Sequence, residues 1–558
     1  MIQGQVDIPR RPPELVMRLE RLGSLHQSRL SFMRILMRRM AGEGWRITRR
    51  DWSVDDAGVG HAIYRVDTGA RVYALVAFAH DLPDAMRSDR VIAEAWDATF
   101  ALFDGDPTEA DIARLAENVP LQEAGRVTAR ELTLSRANRS VRLWAHVVEA
   151  LAAGRQPDAA MVDGVGYLMR TTAVYGSGKF GAADREAIAD RPEMQAPFQA
   201  EMLTVYLIRC FVRDLVEHMA RMRGRADAVP LDPALATRLG IGNSTGLGMA
   251  PFLIHHPVLL NNWIMAREEA LARVRAVARA ADADWDLIID LAERGARQVA
   301  GWRSEHPVQV EKNAALTRDI ALVRDWLGQA DRDMPHPWDA AVTWAETALS
   351  VEGQEWLNAL VLEPHGDLVD GLAHCMADPT PPGRPIDGTM TVAAVRAVIE
   401  DVFGWARALD WDAPDTSARC WYVSEEKLEP RLGERHAEPI ADYEQPLAPA
   451  RDAMAALATL GHWPDDAPVA DVLTVHPEHR AAIRRAQIAR VAPYAEIRDN
   501  TIGADLMPID MLRAKLSFFG ATSFDPRSDR WVRISMYAGA PYPEDLTPDT
   551  ADLWPYPA

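Results

Sequence analysis

Cysteine is nearly absent from this chain. Its 558 residues hold only Cys210, Cys375 and Cys420, too few and too scattered for a disulfide framework, and no Cys-x-x-Cys pair occurs. A reducing, cytoplasmic setting is the expectation. Long apolar runs are also missing, so no segment reads as membrane-spanning. Met1 to Pro13 carries Arg10 and Arg11 but no apolar stretch of the kind found in a secretory signal. Positive charge is in deficit: the formal net charge is -20, which argues against a general affinity for nucleic acid. No repeat period is visible. The βαβ alternation of a doubly wound sheet is not apparent either.

What remains is ordinary globular sequence, with 48% hydrophobic and 25% charged residues, enough to build a sizeable core. A chain of this length is expected to divide into two or three domains. Pro13 to Met40 reads as one amphipathic helix, with Leu15, Leu19, Leu22, Leu30, Met33 and Met37 near helical spacing. Its polar face carries Arg18, Arg21, Arg29, Arg34, Arg38 and Arg39. A basic helix can touch a membrane or RNA, but docking on acidic surface of its own chain or of a second subunit is the preferred reading.

Trp45–Asp51, His61–Val66 and Arg71–Ala79 read as strands, the last two joined by a turn at Asp67-Thr68-Gly69. Helical sequence is expected to dominate from Ser88 to Leu349, with Arg90–Leu102, Asn138–Ala153, Phe198–Met222 and Asn262–Ala281 as its clearest members. Asp378 to Pro385, rich in proline, is the strongest linker signal. Beyond it, Val392–Ala408 reads as helix, and Cys420–Val423 and Trp531–Tyr537 as strands. The residues from Pro541 read as an extended tail. The expected fold is predominantly α (α+β), a large helical core with small antiparallel β segments near the N-terminus and in the C-terminal region. The expected divisions are 1–87, 88–377 and 386–558.

Two glycine-rich stretches carry the chemistry. In Gly176-Ser177-Gly178-Lys179-Phe180-Gly181 the spacing matches a dinucleotide fingerprint, yet Val165–Tyr175 before it reads as helix, not the strand that fingerprint needs. A tight loop presenting Ser177, Gly178 and Lys179 to an anion survives, and a glycine helix cap is its structural alternative. Gly242-Asn243-Ser244-Thr245-Gly246-Leu247-Gly248 matches the Gly-x-Ser-x-Gly elbow of α/β-hydrolases. Leu231–Leu239 upstream reads as helix, so the strand the elbow requires is not expected. Asn243, Ser244, Thr245 and the bare amides suit an oxyanion or carboxylate cradle. From Gly242 to Asn262, with Ser244-Thr245, Met249, Pro251, Asn261 and Asn262, the stretch is similar to the mobile loop of the aspartase/fumarase lyases. That loop's lysine is missing and its spacing differs, so the chain is not assigned to that superfamily.

Other polar groups are weaker. Lys427 and Arg431 lie in a charged turn after Trp421–Val423. Arg498, Asp499, Asn500 and Asp505 are polar residues running into apolar sequence, which implies partial burial. Glu363 to Cys375 and His476-Pro477-Glu478-His479 contain metal-friendly residues without a closed zinc pattern, so no metal is assigned. His255 and His256 follow the second stretch.

The leading functional expectation is a cytosolic enzyme for a small anionic metabolite, working by general acid–base elimination or hydrolysis without an organic cofactor. Lys179, Ser244, Asp499 and Asp505 are its expected catalytic residues. Ser177, Gly178, Asn243, Thr245, Lys427, Arg431, Arg498 and Asn500 are expected to bind substrate. No nucleic-acid or membrane partner is expected, and a homo-oligomer is compatible with the sequence. A non-catalytic helical scaffold is the alternative.

Overall fold

The computed structural model describes residues 8–83, 86, 95–118, 128–175, 190–243, 257–303, 307–377, 386–411, 421–423, 428–430, 442–444, 448–498, 513–525, 533–552 and 554. The chain forms two compact units. One gathers Met1–Ser24, Leu247–Ile288 and Asp325–Ala514; the other gathers Leu25–Gly246, Ile289–Arg324 and Lys515–Ala558. The Asp378–Pro385 linker candidate lies outside the described residues.

The second unit is built on a sheet. In chain order the strands are β1 (Arg46–Val54), β2 (Gly60–Asp67), β3 (Val72–Ala79), β4 (Ala98–Asp104), β5 (Glu131–Arg139), β6 (Tyr167–Tyr175), β7 (Gly240–Asn243), β8 (Trp421–Val423), β9 (Leu428–Pro430), β10 (Asp442–Glu444), β11 (Ser523–Asp525) and β12 (Arg533–Met536). Nine of them form one sheet in the order β1-β2-β3-β4-β5-β6-β7-β12-β11. Every pairing in it is antiparallel except β6 with β7, which is parallel.

This sheet overturns the expected fold class of a helical core with small terminal β segments. The missed strands are the central ones. Every residue of β4 but the last is buried, as is every residue of β5 but the last. In β4 two-sided burial removes the alternation that marks a half-exposed strand and leaves a run that resembles helix. β1 was legible because it lies at an edge and keeps charged Arg46, Arg49, Arg50 and Asp51 partly in water, which blocks edge-to-edge pairing.

The helix Gln199–Gly224 covers one face of this sheet. Phe211 meets Phe100 of β4 at 5.6 Å between ring centroids, and Thr204 Oγ1 lies 2.6 Å from Thr133 Oγ1 of β5. The helix Glu109–Asn118 covers part of the other face, seating Ile112 and Leu115 among Val76, Phe78, Ala101, Phe103 and Leu134. Each such burial is worth about 1.5–3 kcal/mol.

Pro13 to Met40 is not one helix. It forms Pro13–Val16, a 3-10 turn at Leu19–Arg21, and Phe32–Gly42, the last capped by Ser31 accepting from the Arg34 N–H. Its arginines pair with acids of the chain. In the second unit Arg29, Arg34 and Arg38 converge on Asp552, at 3.0, 3.6 and 3.0 Å. The C-terminal residues are therefore docked, not an extended tail. Tyr542 and Trp554 are buried, and Tyr206 donates to the Pro541 carbonyl at 3.0 Å.

The first unit is mainly helical. β10-β8-β9 form a small separate sheet there. Val392, Val395, Ile399, Ala453, Val472 and Ile483 share one apolar cluster. Buried Arg11 bridges Glu268 and Glu355, each at 2.8 Å. No helix among the described residues is long and apolar enough to cross a membrane.

Candidate functional site

β6 ends at Tyr175, one residue before Gly176, and β7 ends at Asn243, one residue before Ser244. The helix expected over Leu231–Leu239 is present as Pro233–Arg238, but a strand follows it before Ser244, and the helix expected over Val165–Tyr175 is replaced by β6. Ala159–Val165 is a short helix closed by Gly166 at φ 75°, and the strand begins at the next residue. The run Val165–Tyr175 thus straddles a helix end and a strand. Pro233–Arg238 is helical, capped by Asp232, but the four residues that follow it are β7. So short a strand, half of it glycine, carries little β signal. A helix cap no longer explains Gly176, because the chain reaches it as a strand.

The two strands are neighbours. Tyr167 pairs with Gly240, Arg170 with Gly242 and Thr171 with Asn243, in parallel register. The chain therefore enters both glycine-rich stretches from the same end of the sheet. Asn243 is buried, and its Nδ2 donates to Thr171 Oγ1 at 3.0 Å. The glycines of β7 have packing reasons. A Cβ on Gly240 would lie 2.3 Å from the Met536 carbonyl oxygen, and one on Gly242 2.7 Å from the Tyr167 ring.

The strands beside β6 also carry buried polar groups. Phe100 and Thr133 point to the long helix, and Phe100 pairs with Ser135. Alternation along β5 then puts Arg136 and Asn138 on the opposite face. Arg136 pairs with Thr99, while Asn138 pairs with Arg170. Arg136 and Arg170 are both buried, and Arg136 stacks over Trp96 at 4.9 Å.

His80 follows β3 and places Nε2 2.8 Å from Thr99 Oγ1. Burial pushes the His80 pKa below the usual imidazole value, against an opposing pull from Asp97. That keeps the ring neutral at pH 7 and able to accept a proton. Asp97 is fully buried and accepts from the Arg139 backbone N–H at 2.9 Å. These groups sit toward the end of the sheet where β4 and β6 begin, with Leu134, not His80, level with Tyr175.

None of His80, Thr99, Arg136 or Arg170 was a sequence candidate. Each is a polar residue next to or inside a buried strand, a position readable only once those segments are strands. Of the sequence candidates, Ser177, Gly178, Lys179, Ser244, Thr245, Lys427, Arg431, Asp499, Asn500 and Asp505 lie outside the described residues, as do His255 and His256. Asn243 belongs to the second unit, as above. Arg498 belongs to the first, where it pairs with Glu14 at 2.8 Å and Asp401 at 3.6 Å. His365 is buried against Trp338, with ring centroids 6.0 Å apart. Comparison of the chain with family models, curated proteins and solved structures returned no match.

Proposed function

We propose that the second unit binds a small carboxylate- or phosphate-bearing metabolite where β6 and β7 end, and that the protein is a cytoplasmic enzyme acting on it by general acid–base chemistry. The observation that carries the reading is the parallel pairing of the two strands that lead into Gly176 and Ser244. Adjacent parallel strands deliver their C-terminal ends to one edge of a sheet, where open α/β sheets hold their ligands. Glycine-rich turns there aim backbone N–H groups at negative charge.

In this reading Lys179 and the Ser244-Thr245 hydroxyls anchor the anion. Arg170 and Arg136 supply positive potential from the sheet, where low dielectric strengthens it. In the same reading Lys179 carries the proton. The scheme fits elimination or hydrolysis and needs no organic cofactor.

The test is a thermal-shift screen of cellular carboxylates and phosphates. At least one compound is expected to raise the melting temperature. Lys179→Ala and Ser244→Ala are each expected to abolish that rise while leaving the ligand-free melting temperature unchanged. A panel that shifts nothing, or a shift that survives both substitutions, overturns the proposal.

A further inference from the structure

In the first unit, His476, Glu478 and His479 present one ring nitrogen each from the histidines and a carboxylate oxygen, all within 4.8 Å of one another. His476 Nδ1 is 3.1 Å and His479 Nε2 is 3.9 Å from Glu478 Oε1. Donors bound to one zinc ion at about 2.0–2.2 Å stand roughly 3–3.5 Å apart. The three groups are thus almost at coordination spacing, and small side-chain rotations close the rest. Imidazole nitrogen selects zinc, cobalt or nickel over magnesium and calcium, which prefer all-oxygen shells.

The backbone explains the convergence. The helix Val469–Val475 stops at His476, Pro477 opens a 3-10 turn, and Arg480–Ala489 begins at the next residue. Three donors within four positions therefore sit on one tight corner. Both flanking helices are anchored, through buried Val469 and Val472 on one side and Ile483 and Ala486 on the other. His479 Nε2 also lies 2.7 Å from Thr459 Oγ1 on the helix Ala448–Leu460, a contact that an ion bound at this nitrogen replaces. Glu478 is exposed and His476 half-buried, so water completes the coordination and the ion exchanges freely.

We infer that this corner is a binding site for a divalent transition ion, Zn2+ above all, held by His476, Glu478 and His479. The site is independent of the anion site proposed above.

The experiment is isothermal titration of Zn2+ into the metal-stripped full chain, repeated with Mg2+. The wild type is expected to bind Zn2+ and to ignore Mg2+. His476→Ala/His479→Ala is expected to lose one equivalent of Zn2+ while keeping the wild-type circular dichroism spectrum. Should that variant fail to fold, Glu478→Gln provides the reading, with an expected loss of at least tenfold in affinity. Absence of Zn2+ binding by the wild type, an unchanged stoichiometry in the double variant, or an unchanged affinity in Glu478→Gln each overturns the site.

Discussion

Thr171 and Asn243 are register partners on two parallel strands, and the Asn243 amide donates to the Thr171 hydroxyl at 3.0 Å. The bond ties β6 to β7 at the last residue before Ser244. This buried bond fixes the last residue of β7 against β6, the preorganisation that the proposed anion site would need.

The stem tolerates little change at Gly242. A methyl group there meets the Tyr167 ring at 2.7 Å, and overpacking of this kind costs about 1–3 kcal/mol. Gly242→Ala is expected to lower stability by that amount in chemical denaturation. Tyr167→Leu in the same chain should return part of the loss by clearing space. A Gly242→Ala protein as stable as the wild type would contradict the packing described here.

Stability at acid pH should depend on Glu355. Burial pushes its carboxyl up, but the Arg11 and Arg267 charges outweigh burial and hold it down at about 2. The unfolded chain binds the proton near the ordinary glutamate value. The contribution is therefore fully present above about pH 4.5 and is lost as pH falls toward 2, a change on the order of 3 kcal/mol. Urea denaturation between pH 2 and 7 should show this slope in the wild type and a shallower one in Glu355→Gln. Arg11→Met, which strands Glu268 and Glu355 without their bridge, is expected to cost about 3–5 kcal/mol at pH 7.

Lys515 should add a second rise of stability with pH, at higher pH than Glu355. It is buried, its ammonium lies 4.9 Å from the Phe519 ring centre, and burial pushes its pKa well below the usual lysine value. Between the folded and unfolded pKa values the unfolded chain binds more protons, so stability rises with pH in that window. Lys515→Met is expected to flatten that rise, as read by urea denaturation across the window. An unchanged slope would contradict the assignment.

The helix Gln199–Gly224 was legible because its apolar residues recur at helical spacing over seven turns' worth of sequence. The β2–β3 hairpin was legible through Asp67-Thr68-Gly69, where Gly69 takes φ 83°. β4 was not, because burial of both faces erases the period of two; β5 alternates over Glu131–Ser135 before polar Arg136, Asn138 and Arg139 blur the pattern, and β6 starts straight after the helix end at Gly166. The long helix expected at the N-terminus was lost to a break near Gly23 (φ 121°), a conformation that apolar spacing does not report. For the site, the glycine-rich stretches stood out by composition alone. His80, Arg136 and Arg170 did not, since each acquires meaning from a neighbouring strand distant in sequence.

Hydrogen exchange read by mass spectrometry, with and without the anion found by thermal shift, addresses the shared cradle directly. Peptides covering 176–181 and 242–248 are both expected to gain protection when the ligand is present. Protection of one stretch alone, or of neither, would contradict a common site at the ends of β6 and β7.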